Sequence, residues 1–288
     1  MNYYCLIAGL PDLGIEDNKL VFNISGFKEE VRPQLSSNDV QLLDLFYTKF
    51  DNQNLLRFLK NKDANFDERG NITKEELEEA LKLISEDDDP NNKHIPPYFK
   101  TFMEEYKDAQ PVDTAAAQWE NRLTELYYQW AMRCGNKLIV RWFEFNLNLN
   151  NILSACTGRK YQMDIAVVGD NEVAESIKTS SQRDFGLTGT LDELDTFQRL
   201  AEESDWFERE KKIDLLKWQW LDEQTFFNYF SMERVFAYLV KLEIIERWVS
   251  LDSVEGGKIF RGLIDSLKEN VKEYEDNGGN KNVSDKWK

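Results

Sequence analysis

The stretch from Asp113 to Ala155 contains no proline and a single glycine, Gly135. Its apolar and aromatic residues recur three or four positions apart, the spacing that places side chains on one face of an α-helix. They form two successive stripes: Trp119, Leu123, Leu126, Trp130 and Cys134, then Leu138, Trp142, Phe145, Leu149 and Ile152. The pattern predicts one long helix or two helices that meet near Cys134-Gly135-Asn136. We expect the tryptophans to serve packing rather than to stack on nucleic-acid bases.

Helical spacing recurs along most of the chain, which predicts a mainly all-α fold with at most a few short strands. It is found in residues 38–59, 191–220, 224–249 and 258–274. In the third of these runs it assigns Phe226 and Phe230 to the apolar face. Residues 3–10 could form a short strand or a buried extended start, and residues 164–169 could form a brief strand. Thr157-Gly158-Arg159 is expected to end one helix, and Asp170 to cap the next.

The domain organisation predicted from these patterns is a single helical domain over residues 1–288. Its possible sub-units are 1–60, 113–200 and 201–275. Residues 61–112 are predicted to be a loop-containing insert, since residues 85–97 read SEDDDPNNKHIPP. Residues 276–288 are polar and rich in Gly and Asn, so we expect a flexible tail.

The composition favours a packed protein with few classes of partner. Eighteen Phe, 11 Tyr and 8 Trp argue against disorder. The formal net charge of −17 would repel nucleic acid and anionic membranes, although a basic partner remains possible. No run approaches the length of a membrane-spanning helix, and the N-terminus lacks the features of a signal peptide, so we expect a cytoplasmic protein without direct membrane insertion.

The residues that usually carry catalysis are scarce. Three cysteines at unrelated spacings suggest neither a disulfide framework nor a zinc site, and a buried apolar role is expected for each: Cys5, Cys134 and Cys156. The only histidine, His94, lies in a proline-punctuated polar stretch and is expected to be a loop residue. Glu243 and Glu246 could share a helix face, as could many other acidic residues. The sequence therefore predicts no catalytic residue, cofactor site or metal site, and no enzymatic activity.

Residues 63–80, DANFDERGNITKEELEEA, resemble a calcium-binding EF-hand loop. In the register that places Gly70 at position 6 and Glu76 at position 12, position 5 is Arg69, which has no acceptor oxygen. The register that begins at Asp63 loses both the glycine and the final glutamate. We therefore interpret the stretch as a loop before a helix, with Thr73 as the N-cap and Glu76 as its partner in a capping box.

Two segments of the chain are similar to each other. Residues 46–56 read FYTKFDNQNLL, and residues 143–153 read FEFNLNLNNIL. A gapless alignment pairs Asp51 with Asn148 and Asn54 with Asn151. The similarity is short enough to arise by chance, so an internal repeat and a coincidence both remain open.

In both segments an apolar helix runs into a short Asp/Asn-rich sequence, which we call a polar step. This arrangement resembles the C-type subunit of the A/V-type rotary ATPases. The eukaryotic counterpart of that subunit is the d-type subunit of the V-type ATPase. Residues 235–262 are similar to the closing unit of that family through Ala237-Tyr238-Leu239, Glu243, Glu246 and Gly256-Gly257. The opening YYCLIAGLPDL, residues 3–13, resembles an uncharacterised bacterial family whose genes accompany V-type ATPase genes.

The resemblance is tight only at residues 3–13, 46–56, 143–156 and 235–262. The insert at 61–112 has no counterpart in that family. The family has arginine-rich helical faces, and the helices of this chain carry few arginines by comparison. The resemblance implies a funnel-like, non-catalytic assembly of repeated helical units that links the central stalk to the membrane rotor ring. The partners would be central-stalk subunits and the ring, which would place the protein at the inner membrane through the complex. The alternative is an acidic α-helical interaction protein unrelated to the ATPase.

Overall fold

The computed structural model describes residues 3–13, 20, 22–86, 94–109 and 116–251, with side chains as far as residue 250. Eleven α-helices and no strand occur in these ranges, which confirms the all-α prediction. The helices are α1 (Tyr4–Gly9), α2 (Ile24–Val31), α3 (Ser37–Lys60), α4 (Lys74–Ser85), α5 (Tyr98–Asp108), α6 (Ala116–Ala131), α7 (Lys137–Tyr161), α8 (Glu172–Thr179), α9 (Leu194–Glu202), α10 (Trp206–Thr225) and α11 (Met232–Leu251). None of these helices is long and apolar enough to cross a membrane.

The chain divides into two compact units. The first combines Met1–Gln34 with Asp205–Lys288, and its helices in the described ranges are α1, α2, α10 and α11. The second consists of Leu35–Ser204 and contains α3 to α9. The predicted helix at 258–274 and the predicted tail at 276–288 lie outside the described residues.

The second unit is built around the two longest helices, α3 and α7. Helix α6 packs against both of them, α5 packs against α4 and α6, and α7 also contacts α8 and α9. Its largest fully buried side chains include Tyr47 on α3, Phe99 and Phe102 on α5, and Phe197 on α9. The helices α4 and α5 lie within residues 61–112, so this stretch contributes aromatic core to the unit.

The tryptophan-rich stretch forms two helices, α6 and α7, rather than one. Gly135 between them has φ +80°, a conformation that glycine adopts at little cost. The Asn136 side chain accepts hydrogen bonds from the N–H groups of Leu138 and Ile139 and so starts α7. The predicted helix end at Thr157-Gly158-Arg159 is wrong, because α7 continues to Tyr161. The glycine serves close packing instead, since a Cβ at this position would lie 2.8 Å from Ile165.

Neither of the two possible strands forms, and residues 3–10 are not an extended start either. Residues 4–9 form α1, which buries Leu6 and Ile7. Residues 164–169 are not helical, but they have no partner strand among the described residues, and the backbone of Val168 bonds to the side chain of Asn151. The residue that caps the following helix is Asn171, one position after the predicted Asp170.

The run of helical spacing at 191–220 contains a break. Helix α9 ends at Glu202, and Asp205 starts α10 by accepting hydrogen bonds from the N–H groups of Phe207 and Glu208. The division between the two compact units falls at this break.

The first unit packs α10 and α2 against α11. The rings of Phe27 on α2 and Tyr238 on α11 stack with their centroids 5.4 Å apart. The Glu246 carboxylate of α11 accepts a 2.7 Å hydrogen bond from the N–H of Ile24, the first residue of α2. Glu246 therefore connects two helices, whereas the sequence distinguished it only as one of many acidic residues.

Candidate functional site

A buried asparagine on α3 holds the loop that follows the helix. Asn54 is completely buried, and its Nδ2 donates a 2.9 Å hydrogen bond to the C=O of Asp67. Its Oδ1 accepts a 2.8 Å hydrogen bond from the N–H of the same residue. The carboxamide thus pairs with both backbone groups of one residue, as a residue on a neighbouring strand would.

Asp51, one turn earlier on α3, holds the same loop. Its Oδ1 accepts hydrogen bonds from the N–H groups of Asn71 (2.8 Å) and Ile72 (3.1 Å), and the residue is 2% exposed. Gly70 is required for this approach, because a Cβ there would collide with the same carboxylate oxygen. The loop is therefore fixed to α3 by its backbone.

In the stretch that resembles an EF-hand, the side chains of Asp67, Thr73 and Glu76 are engaged with protein partners. Arg69 pairs with the carboxylate of Asp67 at 2.6 Å, and this hydrogen bond holds the pKa of Asp67 below its usual value. The Thr73 hydroxyl accepts from the N–H of Glu76 at 3.2 Å, and the Glu76 carboxylate accepts from the N–H of Thr73 at 2.9 Å. The predicted capping box is confirmed.

Helix α7 repeats the arrangement of α3. Asn151 is 2% exposed; its Nδ2 donates to the C=O of Val168 at 2.8 Å, and its Oδ1 accepts from the N–H of Val168 at 3.0 Å. One turn earlier, the Oδ1 of Asn148 accepts a 2.8 Å hydrogen bond from Asn171, the N-cap of α8. As on α3, the long helix holds a loop that leads into a capped helix.

The similarity between residues 46–56 and 143–153 therefore corresponds to a repeated structural unit. The aligned residues Asn54 and Asn151 make the same pair of hydrogen bonds. The other aligned pair has diverged, because Asp51 accepts from backbone N–H groups whereas Asn148 accepts from a side chain. We call the two arrangements the loop locks.

The other residues singled out in the sequence do not gather at these locks. The expected burial of all three cysteines is wrong: Cys5 is exposed, while Cys134 and Cys156 are half-buried, with thiol pKa values raised by desolvation. Helix α1 turns Leu6 and Ile7 inward, which leaves its cysteine outside. His94 is an exposed turn residue, as predicted.

The first unit contains a buried carboxylate that the sequence did not reveal. Asp214 on α10 is 2% exposed, and its Oδ2 accepts from the indole N–H of Trp248 at 2.6 Å and from Arg247. Desolvation raises the pKa of Asp214, although Arg247 and Lys217 favour its charged form. One carboxylate thus joins α10 to α11.

A buried ammonium group lies on the same helix pair. Lys241 of α11 is 6% exposed, forms an ion pair with Asp222 of α10, and places its ammonium 4.5 Å from the centre of the Trp218 ring. Burial lowers the pKa of Lys241 to about 8, against the effect of Asp222. The folded protein therefore releases this proton at lower pH than the unfolded chain does.

We expect Lys241→Met to change how stability depends on pH. Between pH 8 and 10.5 the unfolded chain holds the lysine proton and the folded protein does not, so the stability of the wild type rises with pH across this window. Below pH 8 the buried charge costs up to about 3 kcal/mol, a cost that methionine avoids. Urea unfolding at several pH values would measure the difference. The exposed Lys107→Met is the control, and an identical pH slope in both variants would contradict the assignment.

An exposed group of aromatic side chains connects α10 to α11. We define the aromatic surface as Phe226, Phe227, Tyr229 and Phe230, whose exposed fractions are 72%, 92%, 49% and 37%. Tyr4 adds a fifth ring, 4.6 Å from that of Phe230. The apolar-face assignment of Phe226 and Phe230 is wrong, because α10 ends at Thr225 and the aromatics follow outside the helix. Clustered exposed aromatics are typical of a binding surface.

Comparison with known proteins gives one match. The model of a family described as a protein of unknown function, DUF2764, matches residues 1–271. No curated protein and no solved structure matches the chain. Because the family model spans nearly the whole sequence, the chain is a member of the DUF2764 family.

Proposed function

We propose that the protein is a non-catalytic structural subunit or accessory protein of a V-type rotary ATPase that links the central stalk to the membrane rotor ring. The observation that carries the proposal is the pair of loop locks. Their helix residues lie within two of the four stretches that resemble the C-type subunit of rotary ATPases, and the aligned asparagines, Asn54 and Asn151, make the same pair of hydrogen bonds. The loops that they hold lie outside those stretches, and the loop held by Asn54 belongs to the insert at 61–112.

Stiffness is the mechanical property that such a link needs. Helices α3 and α7 have 24 and 25 residues, and at 1.5 Å per residue each is about 37 Å long. The locks attach a loop and a further helix to each of them through buried hydrogen bonds. Breaking one of these buried hydrogen bonds would leave backbone N–H and C=O groups without a partner, which is costly. The bonds therefore resist local unfolding of the loop when force is applied.

The aromatic surface is the candidate contact with the rotary complex. Phe226 and Phe227 project from the connection between α10 and α11, and large aromatic side chains commonly supply most of the binding energy of a protein interface. The net charge of −17 favours a partner with basic groups around its apolar recess.

The test is affinity purification of the tagged full-length protein from membranes that contain the intact ATPase. We expect rotary ATPase subunits to copurify, and the double variant Phe226→Ser/Phe227→Ser to lose them. Trp206→Ser is the matched control, since Trp206 is 70% exposed in the same unit but lies outside the aromatic surface. Recovery of no ATPase subunits with the wild type would contradict the proposal.

A second candidate is an acidic α-helical interaction protein unrelated to the ATPase. The aromatic surface favours it equally, because exposed aromatics indicate a partner without identifying it. The same purification separates the two candidates. The second requires a defined partner that is lost with Phe226→Ser/Phe227→Ser while the ATPase subunits are absent throughout.

A further inference from the structure

The aromatic surface and the adjoining Tyr4 expose enough area to form an interface. Phe227 is 92% exposed, Phe226 is 72% exposed and Tyr4 is 55% exposed. With about 200 Å² for a fully exposed aromatic side chain, the five rings leave about 600 Å² in contact with solvent. This area is at the upper end of the range for the largest apolar patch on a monomeric protein, and such patches are often binding sites.

Hydrogen bonds hold the segment that carries these rings. The N–H of Asn228 donates to the C=O of Thr225 at 3.1 Å, and the hydroxyl of Ser231 donates to the C=O of Asn228 at 2.8 Å. The N–H of Tyr3 donates to the C=O of Phe230 at 2.8 Å, which connects the segment to the start of the chain. A surface that is ordered before it binds loses little conformational entropy on binding.

The charged groups that adjoin the aromatic surface pair with one another. Arg234 places its guanidinium 5.1 Å from the centre of the Tyr229 ring and forms an ion pair with Asp222 at 3.3 Å. Asp222 also forms the ion pair with Lys241. Residues 224–232, QTFFNYFSM, include no charged residue. This segment therefore offers aromatic rings rather than charges to a partner.

The rings present both their edges and their faces. Phe226 and Phe227 are nearly perpendicular, with an interplanar angle of 87° and centroids 5.0 Å apart. Tyr229 and Phe230 cross at 77° with the same separation. The face of an aromatic ring is its negative part and the edge is its positive part, so edge-to-face contacts are favoured. A surface that offers both is complementary to a copy of itself, as a two-fold symmetric interface requires.

We propose that two copies of this chain form a two-fold symmetric dimer through the aromatic surface. Covering this surface on both copies would remove about 1,200 Å² from water, which is at the lower limit for specific, stable interfaces. We therefore expect a reversible dimer whose population depends on concentration. The net charge of −17 on each copy opposes association, but mobile ions screen charges that lie more than about 8 Å apart at physiological ionic strength.

The dimer is a property of the free protein and does not depend on the proposed link to a rotary ATPase. A rotary partner that binds the aromatic surface would compete with the second copy for it.

Sedimentation equilibrium of the purified full-length protein, from low micromolar to several hundred micromolar concentration, tests the proposal. We expect the mass to rise from 33.9 kDa, the mass of one chain, towards twice this value. Phe226→Ser/Phe227→Ser should weaken association at least about tenfold, since large aromatic side chains commonly supply most of the binding energy of an interface. Trp206→Ser is the matched control and should leave the dimer unchanged, because Trp206 is 70% exposed but lies outside the aromatic surface.

Salt distinguishes this dimer from binding to a basic partner. Added sodium chloride screens the repulsion between two acidic chains, so the dimer should become tighter. Association of the acidic chain with a basic protein would become weaker instead.

Three results would overturn the proposal. The first is a wild type that stays monomeric at every concentration, which would assign the aromatic surface to a different protein. The others are a dimer of undiminished strength in Phe226→Ser/Phe227→Ser and equal weakening by Trp206→Ser. Both phenylalanines are exposed, so their replacement removes no buried core residue, and circular dichroism would verify that the helical content is unchanged. Because the purified protein contains no ATPase subunit, the result is independent of the affinity purification that tests the proposed link.

Discussion

Replacing Asn54 with leucine should lower the free energy of unfolding by about 2–3 kcal/mol, because both the N–H and the C=O of Asp67 lose their partner. Leucine is similar in size and more apolar, so the loss reports on hydrogen bonds rather than on volume. Asn151→Leu should have a similar effect through Val168, since the lock on α7 has the same geometry. Urea unfolding followed by tryptophan fluorescence would measure both changes.

The matched control for this pair is Gln53→Leu. Gln53 precedes Asn54 on α3 but is exposed, so its replacement should change stability by less than about 0.5 kcal/mol. Hydrogen exchange would locate the effect: the amide of Asp67 should exchange faster in Asn54→Leu, and that of Val168 in Asn151→Leu. Unchanged exchange at both amides would show that the asparagines do not hold the loops.

Asp214→Leu should also lower the free energy of unfolding, by about 1–3 kcal/mol, because it leaves a buried hydrogen-bond donor without an acceptor. The indole N–H of Trp248, a residue that is 2% exposed, would lose its acceptor, and Arg247 and Lys217 would lose their counter-charge. Thermal or urea unfolding should show the loss, which would be centred on the packing of α10 against α11 in the first unit.

Asp214→Asn separates the hydrogen bond from the charge. Asparagine keeps an acceptor for Trp248, so the loss of stability should be clearly smaller than that caused by Asp214→Leu. The folded-state pKa of Asp214 is raised above 3.8, so the folded protein holds this proton more tightly than the unfolded chain, and wild-type stability falls as the pH rises through that interval. The difference in free energy of unfolding between the wild type and Asp214→Asn should therefore become smaller as the pH rises. Equal losses in the two variants at every pH would contradict this account.

The loop locks show that a sequence alignment can pair the right residues without indicating what those residues bind. The sequence aligned Asn54 with Asn151, and the structure has them making equivalent hydrogen bonds. Their partners follow at different distances, 13 and 17 residues along the chain. No helical period connects such positions, because the intervening loop determines which peptide reaches the asparagine.

The EF-hand-like stretch illustrates the same limit. Counting ligands explained why Arg69 is unsuited to a calcium loop, and the capping box at Thr73 and Glu76 followed from local spacing alone. The contact of Gly70 with Asp51 could not be foreseen, since it depends on how closely the loop backbone approaches α3.

By itself, the sequence determined the all-α class, the helical character of the two long segments that carry the polar steps, and the position near Gly135 where the second segment could divide, because these depend on interactions within a few residues. That the segment does divide there was decided by the structure. The tertiary structure decided which polar groups are buried and that Phe226 and Phe230 lie outside rather than in the core. These features join residues far apart in the chain, and their energies depend on burial, which only packing establishes.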